Sequence, residues 1–193
     1  MLYTRKGDDG TTKVFNSKPG IRVSKSSCQT ETLGALDEFN SFLGLVKIKV
    51  LDLKWIVNYS NKHGAKGKSP AEIIHWIQNC LFTIQAEVAG ADKKISREKV
   101  NEIEKMIDII EKELPLIKTF FISGGTEIVA LFDIARTLAR KAERRTVGGV
   151  RRKEFKVGTT TPAFLNRLSS LLYALARLSA HKSGINEESP SYR

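Results

Sequence analysis

The sequence predicts an all-α protein, a five-helix bundle, on three observations. Apolar residues recur at steps of three and four through five long segments. Those segments are bounded by start and stop signals such as Ser-Pro, Gly and Pro. No segment shows sustained strand alternation. A chain of 193 residues with 41% hydrophobic content is most simply one domain over residues 1–193, long enough to bury a substantial core.

The elements follow in order. Residues 1–29 are rich in Gly, Asp, Ser, Thr and Lys and read as a loop segment. Leu33, Leu36, Phe39, Leu43 and Val46 predict a first helix over about 30–50. Residues 58–69 read as a polar linker. Ser69 then suits an N-cap with Pro70 at the first helical position. Ile73, Ile74, Ile77, Leu81, Ile84 and Val88 mark the second helix, ending near Gly90. Ser96 starts a third, carried by Val100, Ile103, Ile107, Ile110 and Leu114 and stopped by Pro115. Phe120, Phe121 and Ile122 lead into Ser123-Gly124-Gly125. The fourth helix is expected from about Glu127 to Val147, broken by Gly148-Gly149 and a basic stretch. Thr161-Pro162 opens the fifth, with Leu165, Leu168, Leu172, Leu175 and Leu178 along one side. The tail, 184–193, is polar and reads as frayed.

Charge narrows the function classes. The formal net charge is +11, and between Arg136 and Lys156 nine Lys or Arg face two Glu, so the excess gathers on one helix and the loop after it. An anionic partner is expected: nucleic acid, a membrane surface or a phosphorylated ligand. Two cysteines, Cys28 and Cys80, with no CxxC or Cys/His cluster, argue against a disulfide scaffold and a structural zinc site. No apolar run approaches the roughly 20 residues of a membrane span, and the N-terminus lacks an apolar signal core, so the cytoplasm is the expected location. His63, His75 and His181 have no metal-ligand partners at fitting spacing.

The chemistry-bearing segment is Ala135 to Arg144. Helical spacing puts Arg136, Arg140 and Glu143 on one face, with Ile134, Leu138 and Ala142 on another that can pack inward. Two guanidinium groups four residues apart repel each other unless an anion lies between them, and forked cations on a rigid helix suit a polyanion such as a triphosphate. A solvated face of i,i+4 pairs is the alternative. Thr4-Arg5-Lys6-Gly7-Asp8-Asp9-Gly10-Thr11-Thr12 offers glycines, hydroxyls and cations to a phosphate, and equally fits an ordinary turn. It lacks the spacing of a Walker A loop. Lys25, just before the first helix, can reach a phosphate or remain a solvated lysine. Asp37-Glu38 sits mid-helix, where Asp is a poor helix former, and calls for a charged partner on another helix or subunit, or solvent. Asn166 and Tyr173 lie close on one face of the fifth helix, fit for a base or ribose or for a polar bundle face.

Taken together, these segments resemble the PduO-type ATP:corrinoid adenosyltransferases. The resemblance runs from the first residues to about Arg177. Tyr3 to Thr12 looks like that family's N-terminal nucleotide loop, and Val23-Ser24-Lys25 like its lysine motif. Thr32 to Asn40 resembles its Gly-x-x-Asp-Glu-x-Asn helix, Ala135 to Arg144 its Ala-Arg-x-x-x-Arg-Arg-x-Glu-Arg signature, and Phe164 to Ser169 its Leu-Asn-Arg-Leu-Ser motif. Lys141, Ser123, Asp133 and Ser170 depart from the family pattern, and the 58–69 segment has no counterpart in it.

The resemblance implies a homotrimeric five-helix bundle with ATP between subunits. The 5′-deoxyadenosyl group of ATP passes to cob(I)alamin and triphosphate is released. It implies that Thr4, Arg5, Gly7, Asp8, Gly10, Thr11 and Lys25 hold the triphosphate with Mg2+. Arg136 and Arg140 would contact nucleotide, with Glu143 supporting ribose or magnesium and Asn166 touching the nucleoside. Asp37 would pair with Arg136 across the subunit boundary, and Phe120 would keep the lower axial ligand off cobalt. It also brings in a cobalamin reductase and a cobalamin-dependent enzyme as candidate partners, with no nucleic acid and no membrane. Two other readings stand beside it. A basic helical nucleic-acid-binding protein accounts for the charge but not for the Gly loop, Asp37-Glu38 or the Asn166 motif. A non-catalytic relative that binds corrinoid or nucleotide is separated from the enzyme by turnover.

Overall fold

Ser27 stands in extended conformation and its side chain accepts from the Thr30 backbone N–H, which starts α1 at Cys28 and carries it to Lys49. The structure, a computed structural model, describes residues 3–15, 17, 19–61 and 64–192. His63 lies outside the described residues. After α1 come α2 (Pro70–Val88), α3 (Arg97–Glu113), α4 (Glu127–Arg151) and α5 (Thr160–Lys182). α2 begins as expected, on Ser69 with Pro70 at its first position and Glu72 closing a capping box.

The apolar stripes meet in one core. Leu36, Phe39, Leu43 and Val46 of α1, Ile77, Leu81 and Ile84 of α2, Ile103 and Ile110 of α3 and all six leucines of α5 are essentially inaccessible. Each such side chain contributes about 2 kcal/mol from burial. On α4 the inward residues are small: Ala135, Ala139 and Ala142 are fully buried, which lets α4 lie close against α5, its most extensive neighbour, and against α1. Ile134, expected to pack inward, is 47% exposed instead. The inward stripe of α4 runs through Val129, Phe132, Ala135, Ala139 and Ala142, which turns Ile134 outward.

Three further expectations are corrected. The 58–69 segment is not a linker. It holds most of an antiparallel hairpin of β3 (Val57–Asn61) and β4 (Gly64–Lys68), so strands are present after all. Val57 and Tyr59 are buried in it. The Tyr59 hydroxyl donates to Glu102 on α3 (2.6 Å) and Lys68 Nζ bonds the same oxygen (2.8 Å), so docking on α3 makes strands of a polar sequence. A second small ladder joins β1 (Thr11–Thr12) to β2 (Val23–Ser24) within the N-terminal segment.

α4 does not stop at Val147. It continues through Gly148-Gly149 to Arg151, and the chain turns only at Lys153, whose φ is 61°. Gly149 is a packing site: a Cβ there would meet the ring of Phe155 at 2.1 Å, so the missing side chain is what lets that ring close the helix end. The tail is not frayed either. Ile122 N–H donates to Glu188 O (2.8 Å), Thr119 Oγ1 donates to Ser189 Oγ (3.1 Å), and Glu187 pairs with Arg177.

Candidate functional site

Polar residues on α4 and α5 face each other at matching intervals. On α4 they are Asp133, Arg136, Arg140 and Glu143; on α5 they are Asn166, Ser170, Tyr173 and Arg177. Both sets step by three and four residues, so each forms a stripe along one side of its helix. The helices run antiparallel, so the stripes meet in reverse order. Asn166 Nδ2 donates to Glu143 Oε1 (3.1 Å), Arg136 lies over the Tyr173 ring (6.0 Å to the centroid), and Arg177 Nη2 bonds Asp133 Oδ2 (3.1 Å).

Three cavities open along this seam and share residues. The first, about 560 Å³, is lined by Phe120, Phe121, Asp133, Arg136, Tyr173 and Tyr192. The second, about 580 Å³, takes in Arg136, Arg140, Ser170 and Tyr173 with Ile107 and Leu114 of the α3 end. The third, about 440 Å³, is bounded by Arg140, Glu143, Arg144, Arg151 and Asn166. Arg136 borders the first two and Arg140 the last two, so the whole forms a groove with an aromatic end and a cationic end.

The cations differ in how they are held. Arg136 is half-buried, with Nε 3.6 Å from Asp133 Oδ1 and no hydrogen-bond partner for that nitrogen. Arg140 is exposed and has no ion-pair partner among the described residues. It therefore presents an uncompensated fork to the groove, the arrangement that suits an incoming anion. Lys141, one residue on, reaches away to Glu38 on α1. Phe120 is 78% exposed at the aromatic end.

The N-terminal loop is built separately. Lys25 Nζ donates to Gly7 O (2.7 Å) and its backbone N–H to Gly10 O (2.9 Å), which folds the lysine over the loop. A Cβ on Gly7 would come within 3.1 Å of that Nζ and of Thr11 O, so glycine is what admits the lysine. Arg5 and Gly10 take left-handed backbone, with φ of 58° and 79°. Thr4, Arg5, Asp8 and Gly10 are exposed. Asp9 accepts from the Thr11 hydroxyl (2.7 Å) and backbone (3.0 Å), and Arg22 from β2's approach bonds Thr11 Oγ1 (2.6 Å). The hydroxyl bond, then the backbone bond, hold the Asp9 carboxyl below its ordinary range.

Of the residues singled out in sequence, Thr4, Arg5, Gly7, Asp8, Gly10, Thr11 and Lys25 come together in the loop. Arg136, Arg140, Glu143, Asn166 and Phe120 come together in the groove. Among the described residues no hydrogen bond or ion pair joins the two groups. Asp37 is exposed on α1 with no ion-pair partner among the described residues. Asp9 and Arg22 were not singled out in sequence; Asp133 stood there only as a departure from the family pattern and Arg177 only as a polar residue of the fifth helix, and their buried pairing, at 4% and 2% exposure, was not expected. A signal existed: Arg177 interrupts an otherwise apolar run of α5 one turn beyond Tyr173.

Among the described residues no three His, Cys, Asp or Glu converge on a point that could hold a metal ion, and no helix is long and apolar enough to cross a membrane.

Residues 2–179 match the model of the family described as cobalamin adenosyltransferase. A corrinoid adenosyltransferase of Bacillus subtilis (strain 168) is 35% identical over 190 residues, covering 96% of this chain and 90% of its own. The corrinoid adenosyltransferase PduO of Citrobacter freundii is 34% identical over 192 residues, and this chain spans 51% of its length. A variant of the PduO-type ATP:corrinoid adenosyltransferase from Lactobacillus reuteri, complexed with cobalamin and ATP, superposes with a TM-score of 0.83 at 25% identity, covering 100% of this chain and 97% of that one. With a match that takes in the loop, the groove and the helices that hold them, this chain belongs to the cobalamin adenosyltransferase family.

Proposed function

We propose that this chain transfers the 5′-deoxyadenosyl group of ATP to cob(I)alamin, forming adenosylcobalamin and releasing triphosphate. The observation that carries the reading is the groove, with unpaired Arg140 at its cationic end and Phe120 at its aromatic end. The bond-making pair of electrons belongs to cobalt(I). It forms the cobalt–carbon bond to C5′ while the C5′–oxygen bond breaks, the electron pair of that bond leaves with triphosphate, and cobalt is formally oxidised to cobalt(III). The protein need supply no nucleophile. Its work is to align C5′ with cobalt and to stabilise charge on the departing triphosphate.

Arg136 and Arg140 contact the nucleotide, and Asn166, held on Glu143, sets the nucleoside. Phe120 walls the corrinoid side and keeps a lower axial ligand from cobalt. Thr4, Arg5, Gly7, Asp8, Gly10, Thr11 and Lys25 hold the phosphates. Magnesium fits this site as an ion carried by the phosphates, because Glu143 is the one carboxylate lining the third cavity and Mg2+ retains waters and needs few protein oxygens. When bound it neutralises charge on the leaving triphosphate.

The separation of loop and groove within one protomer supports a homotrimer with ATP between neighbours, the loop of one subunit facing the groove of the next. Exposed Asp37, free to meet Arg136 of a neighbour, supports the same arrangement, as do Leu45 and Ile48 on α1, 46% and 66% exposed. Two free thiols, Cys28 and Cys80, support a reducing compartment such as the cytoplasm. A cobalamin reductase supplies cobalt(I) and a cobalamin-dependent enzyme receives the product.

Incubation with ATP, Mg2+ and chemically reduced cobalamin tests the reading. The corrinoid spectrum is expected to change to that of the alkylated cofactor, with one triphosphate per corrinoid. Nucleotide binding without that change would identify a non-catalytic relative instead.

A further inference from the structure

Four charged side chains run in line from the C-terminal segment into the groove. Arg177 lies in the middle, 2% exposed, with a carboxylate on either side. Its Nη2 bonds Asp133 (3.1 Å) and its Nη1 pairs with Glu187 of the tail. Asp133 in turn lies 3.6 Å from Arg136 Nε. The ring of Tyr173 is shared by both cations, 4.9 Å from the Arg177 guanidinium and 6.0 Å from that of Arg136. Phe121 also packs over Arg177, at 5.6 Å.

We infer that Glu187, acting through Arg177 and Asp133, is a positioning residue that aims the Arg136 guanidinium into the groove, so that residues 184–192 act as a strap on the site. The inference rests on the proposed role of Arg136 and goes beyond it by naming the groups that orient that side chain.

Charge must balance here in a dry place. Two cations and two anions alternate, and Asp133 is divided between Arg177 and Arg136. With Glu187 in place, one edge of Arg177 is satisfied from the tail, and Asp133 can keep one oxygen toward Arg136. Without it, the unsatisfied edge of Arg177 competes for Asp133, and Arg136 loses the carboxylate that holds it. Such competition is strong where water is scarce. Within its own protomer Arg136 has no other anchor among the described residues: its Nε is buried with no hydrogen-bond partner, so Asp133 and the Tyr173 ring orient it from this side, while Asp37 of a neighbour would meet it from across the boundary. Burial pushes the Glu187 carboxyl above its ordinary range and Asp133 adds to that, while Arg177 opposes, as expected for a group coupled to this line. The strap also bears on the aromatic wall, since Ile122 N–H donates to Glu188 O and Thr119 bonds Ser189. An anchor needed for stability alone would be as well served by apolar residues.

The test uses the full chain and a double-mutant cycle. Glu187→Gln is expected to lower kcat/KM about 10-fold or more, the size of a misaimed contact. In an Arg136→Ala background the same change is expected to alter kcat/KM by less than about 2-fold, because its target is gone. Multiplicative losses in the double variant would overturn the inference, as would a single variant within about 2-fold of the wild type. A second readout is independent of turnover. The side-chain Nε–Hε resonance of Arg136, assigned by its disappearance in Arg136→Ala, is expected to shift in Glu187→Gln. An unmoved resonance would overturn the inference even if the wild-type chain proved inactive, an outcome that would separately remove the proposed reaction. Glu187→Asp keeps the charge and is expected to retain most activity, with a smaller shift of the same resonance. Should Glu187→Gln fail to fold, Glu187→Asp takes its place, and an unmoved resonance in that variant would equally overturn the inference.

Discussion

Lys141 pairs with Glu38 across the α1–α4 seam, so the lysine that stands where the family signature carries an arginine does not face the groove at all. Both side chains are about half exposed, and such a pair is worth at most about 1 kcal/mol. Lys141→Arg is therefore expected to leave kcat/KM within about 3-fold of the wild type, a difference under about 0.7 kcal/mol. Arg140→Ala is expected to lower it about 10-fold or more, from the loss of about 1.4 kcal/mol of transition-state stabilisation. Steady-state kinetics on the two variants separate the positions. Equal effects would contradict the placement of Arg140 in the groove.

Phe120 is largely exposed and carries little of the fold. Phe120→Ala is expected to leave the thermal midpoint within about 2 °C while impairing reduction and alkylation of cobalt. ATP affinity, set at the other end of the groove, is expected to stay nearly constant. Calorimetric titration with MgATP beside a spectroscopic assay of cobalt reduction checks this, and a parallel loss in both would remove the axial-ligand role.

The adjacent glycines of α4 respond to alanine with opposite sign. Gly149→Ala would drive a methyl group into the Phe155 ring, and is expected to destabilise by about 2 kcal/mol. Gly148 has open space where a Cβ would be built, and Gly148→Ala is expected to stabilise by about 0.5–1 kcal/mol through helix propensity. Denaturant unfolding of both variants measures the contrast. A stabilised Gly149→Ala would show that Phe155 does not pack there.

Glu102 links the hairpin to α3 and carries a pH signature. Burial raises its carboxyl, but the bonds from Lys68 and Tyr59 and the charges of Lys68 and Lys99 outweigh that and hold it below its ordinary value of 4.5. Its contribution to stability is therefore full above that value and is lost as pH falls through the lower folded-state value. Glu102→Gln is expected to cost about 2 kcal/mol at pH 7, about 4–8 °C in Tm. The gap from wild type should narrow in acid, because the wild-type carboxyl is then protonated too. A gap of constant size from pH 7 to pH 3 would contradict the assignment.

Much of this molecule was legible along the chain. The leucine steps of α5 and the Ser69-Pro70 start of α2 define helices because a helix repeats every 3.6 residues and its first N–H groups need a cap. The groove cations were readable for the same reason: Arg136 and Arg140 share a face by spacing alone. What the tertiary structure alone decided are the features that depend on a partner remote in sequence. Tyr59 is in a strand because Glu102 receives its hydroxyl, Gly149 stays helical because Phe155 fills its missing side chain, and the tail is anchored because buried Arg177 takes a second carboxylate from Glu187. Local periodicity reports which face a residue occupies. It carries no information about what the rest of the chain brings to that face, and here that supplied the hairpin, the helix end and the strap.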